Sequence, residues 1–132
     1  AVIDIKDEKN PRVMSLFPVP DPPEGYTHKN FCERGGRFGP HNQHHAQGLD
    51  CLEQREDRIY LTYFNAGLRI YDLADPVRPT EIAHYIPADP TERLGMLPKT
   101  LVTQSEDVLV DRRGYMYVTD KNHGLHILRC TV

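Results

Sequence analysis

The sequence predicts an all-β protein assembled from repeated, four-stranded antiparallel units. Three observations carry that prediction. The chain matches itself at two internal offsets, its apolar residues alternate over short runs with a period of two, and its eleven prolines and nine glycines punctuate those runs. No stretch shows the 3.6-residue period of an amphipathic helix, so an α/β arrangement has little to stand on.

The stronger self-match places residues 59–70 (IYLTYFNAGLRI) on residues 116–127 (MYVTDKNHGLHI), a shift of 57 without gaps. Tyr60, Thr62, Asn65, Gly67, Leu68 and Ile70 recur as Tyr117, Thr119, Asn122, Gly124, Leu125 and Ile127. A second match overlays residues 2–22 on 70–90, a shift of 68, with Asp4, Asp7, Pro11, Asp21 and Pro22 meeting Asp72, Asp75, Pro79, Asp89 and Pro90. The difference of 11 between the shifts is assigned to the connector at 20–49, which is longer than its counterpart at 88–106.

The elements follow in order. Residues 1–23 read as the third and fourth strands of a partial unit, and 24–47 as an enlarged Gly/His-rich loop. Residues 48–87 read as a complete unit, with strands at 49–53, 58–62, 68–73 and 81–86. Its second and third strands are joined by Asn65-Ala66-Gly67, residues that accept the positive φ of a tight hairpin, and the third and fourth by an Asp75-Pro76 turn. Residues 88–106 form the next connector, and 107–132 supply strands at 108–111, 115–119 and 125–130. Four antiparallel strands per unit describe the blade of a β-propeller, so the chain amounts to about two to two and a half blades. Such a piece cannot close a ring by itself, which leads to the expectation of a six- to eight-bladed ring. The remaining blades would come from a parent chain or from other subunits, as would the fourth strand missing after 125–130.

The strings AGLRIYDLADPVRP and AVIDIKDEKNP resemble the LVIVD repeat, over nearly the whole chain apart from residues 24–47. That resemblance implies a propeller and no single activity, because one scaffold hosts many functions.

Composition narrows the function classes. A net charge of -3 provides no excess of Lys and Arg for phosphate, which argues against nucleic acid, and no apolar run is long enough to span a bilayer. Cys32, Cys51 and Cys130 make an odd set without a CxxC pair, poor material for a disulfide framework or a zinc knuckle. Compartment stays open. Proteins like the LVIVD family are often exported, whereas an odd thiol count suits the cytoplasm.

Chemistry is expected at the enlarged loop. His41, His44 and His45 could supply imidazole nitrogens to zinc, iron or copper, although neighbouring residues of an extended strand point to opposite faces. Arg34 and Arg37 could hold an anion, Asn42 a small ligand, and Gln104 and Glu106 could approach the same channel mouth from the next unit. Asp107 aligns at this stage with Asp50 and is set aside as a turn former, as are Asp4, Asp7, Asp72 and Asp75. The functional expectation is a scaffold module that binds a protein or small ligand at its central channel face. The alternative is a metal-dependent hydrolase or oxidoreductase with a His-lined site at the channel mouth.

Overall fold

The computed structural model describes all residues except Gly95, Leu97, Pro98 and Val132. The first three belong to the connector at 88–106, and that part of the sequence reading lies outside the described residues. The strands are β1 (Val2–Asp4), β2 (Arg12–Ser15), β3 (Gln43–His44), β4 (Arg58–Thr62), β5 (Leu68–Asp72), β6 (Thr80–Tyr85), β7 (Ser105–Val110), β8 (Tyr115–Asp120) and β9 (Gly124–Arg129). A one-turn helix, α1 (Phe31–Arg34), is capped by Asn30, whose side chain accepts from the Glu33 N–H. The protein is all-β, and its antiparallel sheets are β1-β2, β3-β4-β5-β6 and β7-β8-β9.

Alternation along β4 and β5 explains how the middle sheet is used. Tyr60, Leu68 and Ile70 join Val108, Val110, Met116 and Val118 of the third sheet in one core. The residues between them, Leu61, Tyr63 and Tyr71, point the other way and meet Phe31, with Phe17, Tyr26 and Phe38 alongside. The period of two thus feeds two cores from one sheet. One core is mostly aliphatic, the other mostly aromatic. Segment 24–40 covers the second face through Tyr26, Phe31 and Phe38, with the Phe31 and Phe38 rings stacked at 5.7 Å, and Phe17 packs there against Tyr71 at 5.0 Å.

Register corrects the sequence alignment in one place. The first strand of the middle sheet is β3 at Gln43–His44, not 49–53, so the boundary placed at residue 48 falls inside this sheet. His44 pairs with Tyr60 and Leu109 with the equivalent Tyr117, a separation of 16 residues in one hairpin and 8 in the other. Most of the extra length therefore lies after the first strand rather than before it. Residues 51–53 follow a turn and pair with the neighbouring sheet instead. Leu52 bridges Asp111, Glu53 N–H donates to the Val110 carbonyl, and Arg112 N–H donates to the Cys51 carbonyl. The long hairpin reaches across and closes the edge of β7.

In each tight turn the glycine takes the expected positive φ, while Asn65 does not and Phe64 does. Gly67 and Gly124 have φ of +77° and +86°. Only Gly67 is also confined, since a Cβ there would lie 2.1 Å from the Tyr85 carbonyl oxygen, whereas at Gly124 it would meet nothing within 4 Å. Gly124→Ala is expected to cost about 1–2 kcal/mol, the strain of a positive φ alone, and Gly67→Ala more than about 3 kcal/mol, measured by chemical denaturation of both variants. Equal losses would show that the contact with Tyr85 contributes nothing.

The β7–β8 turn provides a pH-dependent marker. Hydrogen bonds from Arg113 first, then from the backbone N–H groups of Tyr115 and Arg113 and from the Tyr117 hydroxyl, hold the Asp111 carboxyl down to about 2, below its ordinary 3.8. Its contribution to stability is complete above the ordinary value and is lost as pH falls through 3.8 towards 2. Acid titration of Asp111→Asn should be flatter than that of the unsubstituted protein across this window, and a parallel pair of curves would refute the assignment.

Candidate functional site

The first strands of two successive sheets, β3 and β7, lie side by side, and the predicted site residues divide around them. The two approaches are built alike. Asn42 N–H donates to the Thr62 hydroxyl at 3.1 Å, and Asp107 N–H donates to the Thr119 hydroxyl at 3.1 Å. Asn42 and Asp107 are thus the true equivalents, and so are His41 and Glu106. The alignment of Asp107 with Asp50 is overturned, and with it the reason for dismissing Asp107.

His44 is buried and fully committed. Its Nε2–H donates to the Glu53 carbonyl at 3.1 Å, and its Nδ1 accepts from the Val110 N–H at 3.1 Å. Its ring meets Tyr60 edge-on at 5.9 Å. Burial, with a hydrogen bond to Glu53, pushes the Tyr60 phenol up to about 12. With both ring nitrogens used, His44 joins two sheets and has no lone pair left for a metal. His45 is exposed and lines the same cleft as His41, away from buried His44. His41, His44 and His45 do not converge, and among the described residues no three His, Cys, Asp or Glu side chains are placed to hold a metal ion. These three histidines by themselves therefore do not assemble a zinc, iron or copper site.

Gln104 and Arg34 are also structural. Gln104 is wholly buried, accepts from the Arg37 N–H at 2.9 Å and donates to the Thr103 carbonyl at 2.6 Å, which pins the loop to the connector. Arg34 is buried, donates to the Asn65 and Pro87 carbonyls, and pairs with Asp89 at 2.7 Å. No anion-holding capacity remains there.

Three of the expected residues do come together, around a ring the sequence reading overlooked. His41 lies against Phe64 with centroids 4.6 Å apart, and the Arg37 guanidinium sits over the same ring at 5.6 Å. His41 Nδ1–H donates to the Glu106 carbonyl at 2.7 Å, and its Nε2 faces the Glu106 carboxylate at 3.9 Å. Lys121 holds that carboxylate at 2.8 Å. Phe64 has a φ of +48°, the one positive value at a non-glycine among the described residues, and its N–H and carbonyl exchange hydrogen bonds of 3.1 and 3.0 Å with Ser105. That pair stitches the middle sheet to the third. Beside it opens a cleft of about 550 Å3 lined by His41, Asn42, Gln43, His45, Gln47 and Asp107, with apolar floor from Val108 and Leu109. No protein-family model, curated protein or solved structure matches the chain. The side chains that line the cleft offer hydrogen-bond donors, acceptors and one carboxylate, that of Asp107.

Asn65 and Asn122 were expected to serve only as turn residues. Both are buried, and their side-chain amides donate to the preceding connector: Asn65 to the Phe31 and Gly35 carbonyls, Asn122 to the Val102 carbonyl. Their recurrence at equal positions was the available signal. His126 is half-buried between Tyr85 and His123, and burial first, then His123, lowers its pKa.

His44→Leu preserves volume but orphans a buried amide and a carbonyl, and should destabilise the protein by about 2–4 kcal/mol. Equilibrium unfolding of the variant tests this, and a loss under about 0.5 kcal/mol, within the range of a neutral surface change, would contradict the bridging role.

Proposed function

We propose that this chain is a blade-forming segment of a propeller-type scaffold, of the kind its LVIVD-like strings imply, and that it binds a small polar ligand or a protein loop in the cleft between β3 and β7. The observation that carries the reading is the position of that cleft between the first strands of two consecutive sheets. Those sheets follow one another in the same strand order, β3-β4-β5-β6 and then β7-β8-β9. In a propeller the first strands face the central channel, so His41, Asn42, Gln43, His45 and Asp107 would line its wall. A recessed surface with a few convergent polar groups over an apolar floor is the ordinary form of a ligand site.

The reading favours binding over catalysis. His41 Nδ1–H is committed to a carbonyl, and Glu106 is paired with Lys121 rather than left free to act as a base. The His-lined metal alternative requires donors that this loop directs elsewhere.

A thermal-shift screen of small polar compounds and peptides, followed by the same screen on a His45→Ala, Asp107→Ala double variant, tests the assignment. Both side chains are exposed, so the double variant should melt within about 0.5 kcal/mol of the unsubstituted chain. Compounds that raise its melting temperature should lose at least tenfold in affinity on the double variant. Hits unaffected by the substitutions would place binding elsewhere, and stoichiometric metal by elemental analysis, lost in His41→Ala, would favour the enzymatic alternative.

A further inference from the structure

The cleft between β3 and β7 is built from equivalent positions of two successive units. His41 and Glu106 occupy one such position and meet each other, while Asn42 and Asp107 occupy the next and both line the opening. One unit thus supplies a neutral amide where the other supplies a carboxylate. That single difference sets the charge of the cleft.

Asp107 is the one acid among the residues that line it. Its Oδ1 accepts from the Val108 N–H at 2.8 Å, and no donor among the described residues reaches its Oδ2. The nearby cations are engaged outside the cleft, since Lys121 holds Glu106 at 2.8 Å and the Arg37 guanidinium sits over Phe64. Nor do the neutral walls compete for the carboxylate. The side-chain amides of Asn42, Gln43 and Gln47 line the same opening and form no hydrogen bond with another described residue. Leu109, 38% exposed, adds an apolar patch directly beyond the acid in sequence and in the cleft.

We propose that the ligand of this cleft carries a primary ammonium group on a short alkyl stem, with the charge on Asp107 Oδ2 and the stem over Leu109. The proposal rests on the reading of the cleft as a binding site and names the chemistry that site selects. An ammonium has three donors, so the amide oxygens of the walls take those that the carboxylate leaves. A guanidinium suits the cleft less well. Its two-point fork calls for both carboxylate oxygens, and one of these already serves the Val108 N–H. An anion would face Asp107 with no paired cation inside the cleft to offset the repulsion.

Such an ammonium could belong to a free amine or to a lysine side chain on a protein loop, and the probes separate the two. They are n-butylammonium, its neutral counterpart n-butanol, and the tripeptide Gly-Lys-Gly blocked at both ends. NMR titration of the whole chain at neutral pH and constant ionic strength should move the amides of Asn42, Asp107, Val108 and Leu109 with n-butylammonium, and far less with n-butanol at equal concentration. Tighter binding of the tripeptide would assign the site to a lysine side chain, and its exclusion would assign it to a free amine. Asp107→Asn keeps an acceptor for the Val108 N–H and removes the charge. It should weaken n-butylammonium binding about fivefold, the scale of an ion pair open to solvent, whereas Asp50→Asn, an exposed acid outside the cleft, should leave it unchanged. Equal binding of n-butanol, or an unchanged dissociation constant in Asp107→Asn, would overturn the ammonium assignment while the cleft reading stands. Absence of any shift at these amides with n-butylammonium would overturn it too. If compounds from the thermal screen also shift only residues outside the cleft, the cleft reading fails with it.

Discussion

The constraint on which this structure rests is that β5, inside the middle sheet, has no face left for water. Residues 68–71 are all essentially buried, so successive side chains of one strand must each be satisfied in a different core. An apolar residue does this without difficulty, whereas Arg69, wholly buried, requires compensating partners, which it finds for Nε and Nη1. It donates to the Ala66 carbonyl, pairs with Glu81 at 2.9 Å and lies over the Phe31 ring. A buried charge of this kind is tolerated only when it is paired and hydrogen-bonded, so the position of β6 and that of the aromatic segment are tied to one guanidinium. The helical turn α1, which delivers Phe31 and Arg34, is subordinate to the same requirement.

From that sheet the remaining order is passed on through side chains that bond to backbone. Asn65 and Asn122 gather the connectors, His44 and Thr62 bind the first strands, and Gln104 fixes the loop that carries Arg37. Backbone groups that lack a strand neighbour are thereby satisfied without lengthening any sheet. The polar cleft is the surface expression of this arrangement. Its walls are firm because the atoms behind them are hydrogen-bonded, and the side chains that line it are those the scaffold did not need.

Much of the architecture was legible in the sequence. The second and third strands, their hairpins and the all-β class follow from alternation and from Asn-x-Gly turns, because both signals are local. The first strand of the middle sheet was not legible. Gln43–His44 is two residues long and polar, and its pairing depends on Thr62 and Tyr60 far along the chain, whereas residues 49–53 offered the more apolar string. The same error carried Asp107 away from the site, since its partner is Asn42 rather than Asp50. For the histidines, sequence showed the cluster but could not show direction. His44 faces inward to Glu53 and Val110, His41 lies on Phe64, and His45 meets solvent. Phe64 was silent altogether, since a positive φ at a phenylalanine has no signature in composition or spacing.

The two cores flanking the middle sheet differ in kind, aliphatic towards the third sheet and aromatic towards residues 24–40. That difference gives the stack a direction. A sheet turned front to back would press Tyr63 and Tyr71 into space shaped by Val110 and Val118, and would leave the large pocket around Phe31 and Phe38 half filled. Close packing penalises both errors at once. Among units whose backbones are nearly alike, the size and shape of the side chains thus act as a sorting rule, by which each layer recognises its proper neighbour and rejects a misplaced copy of itself.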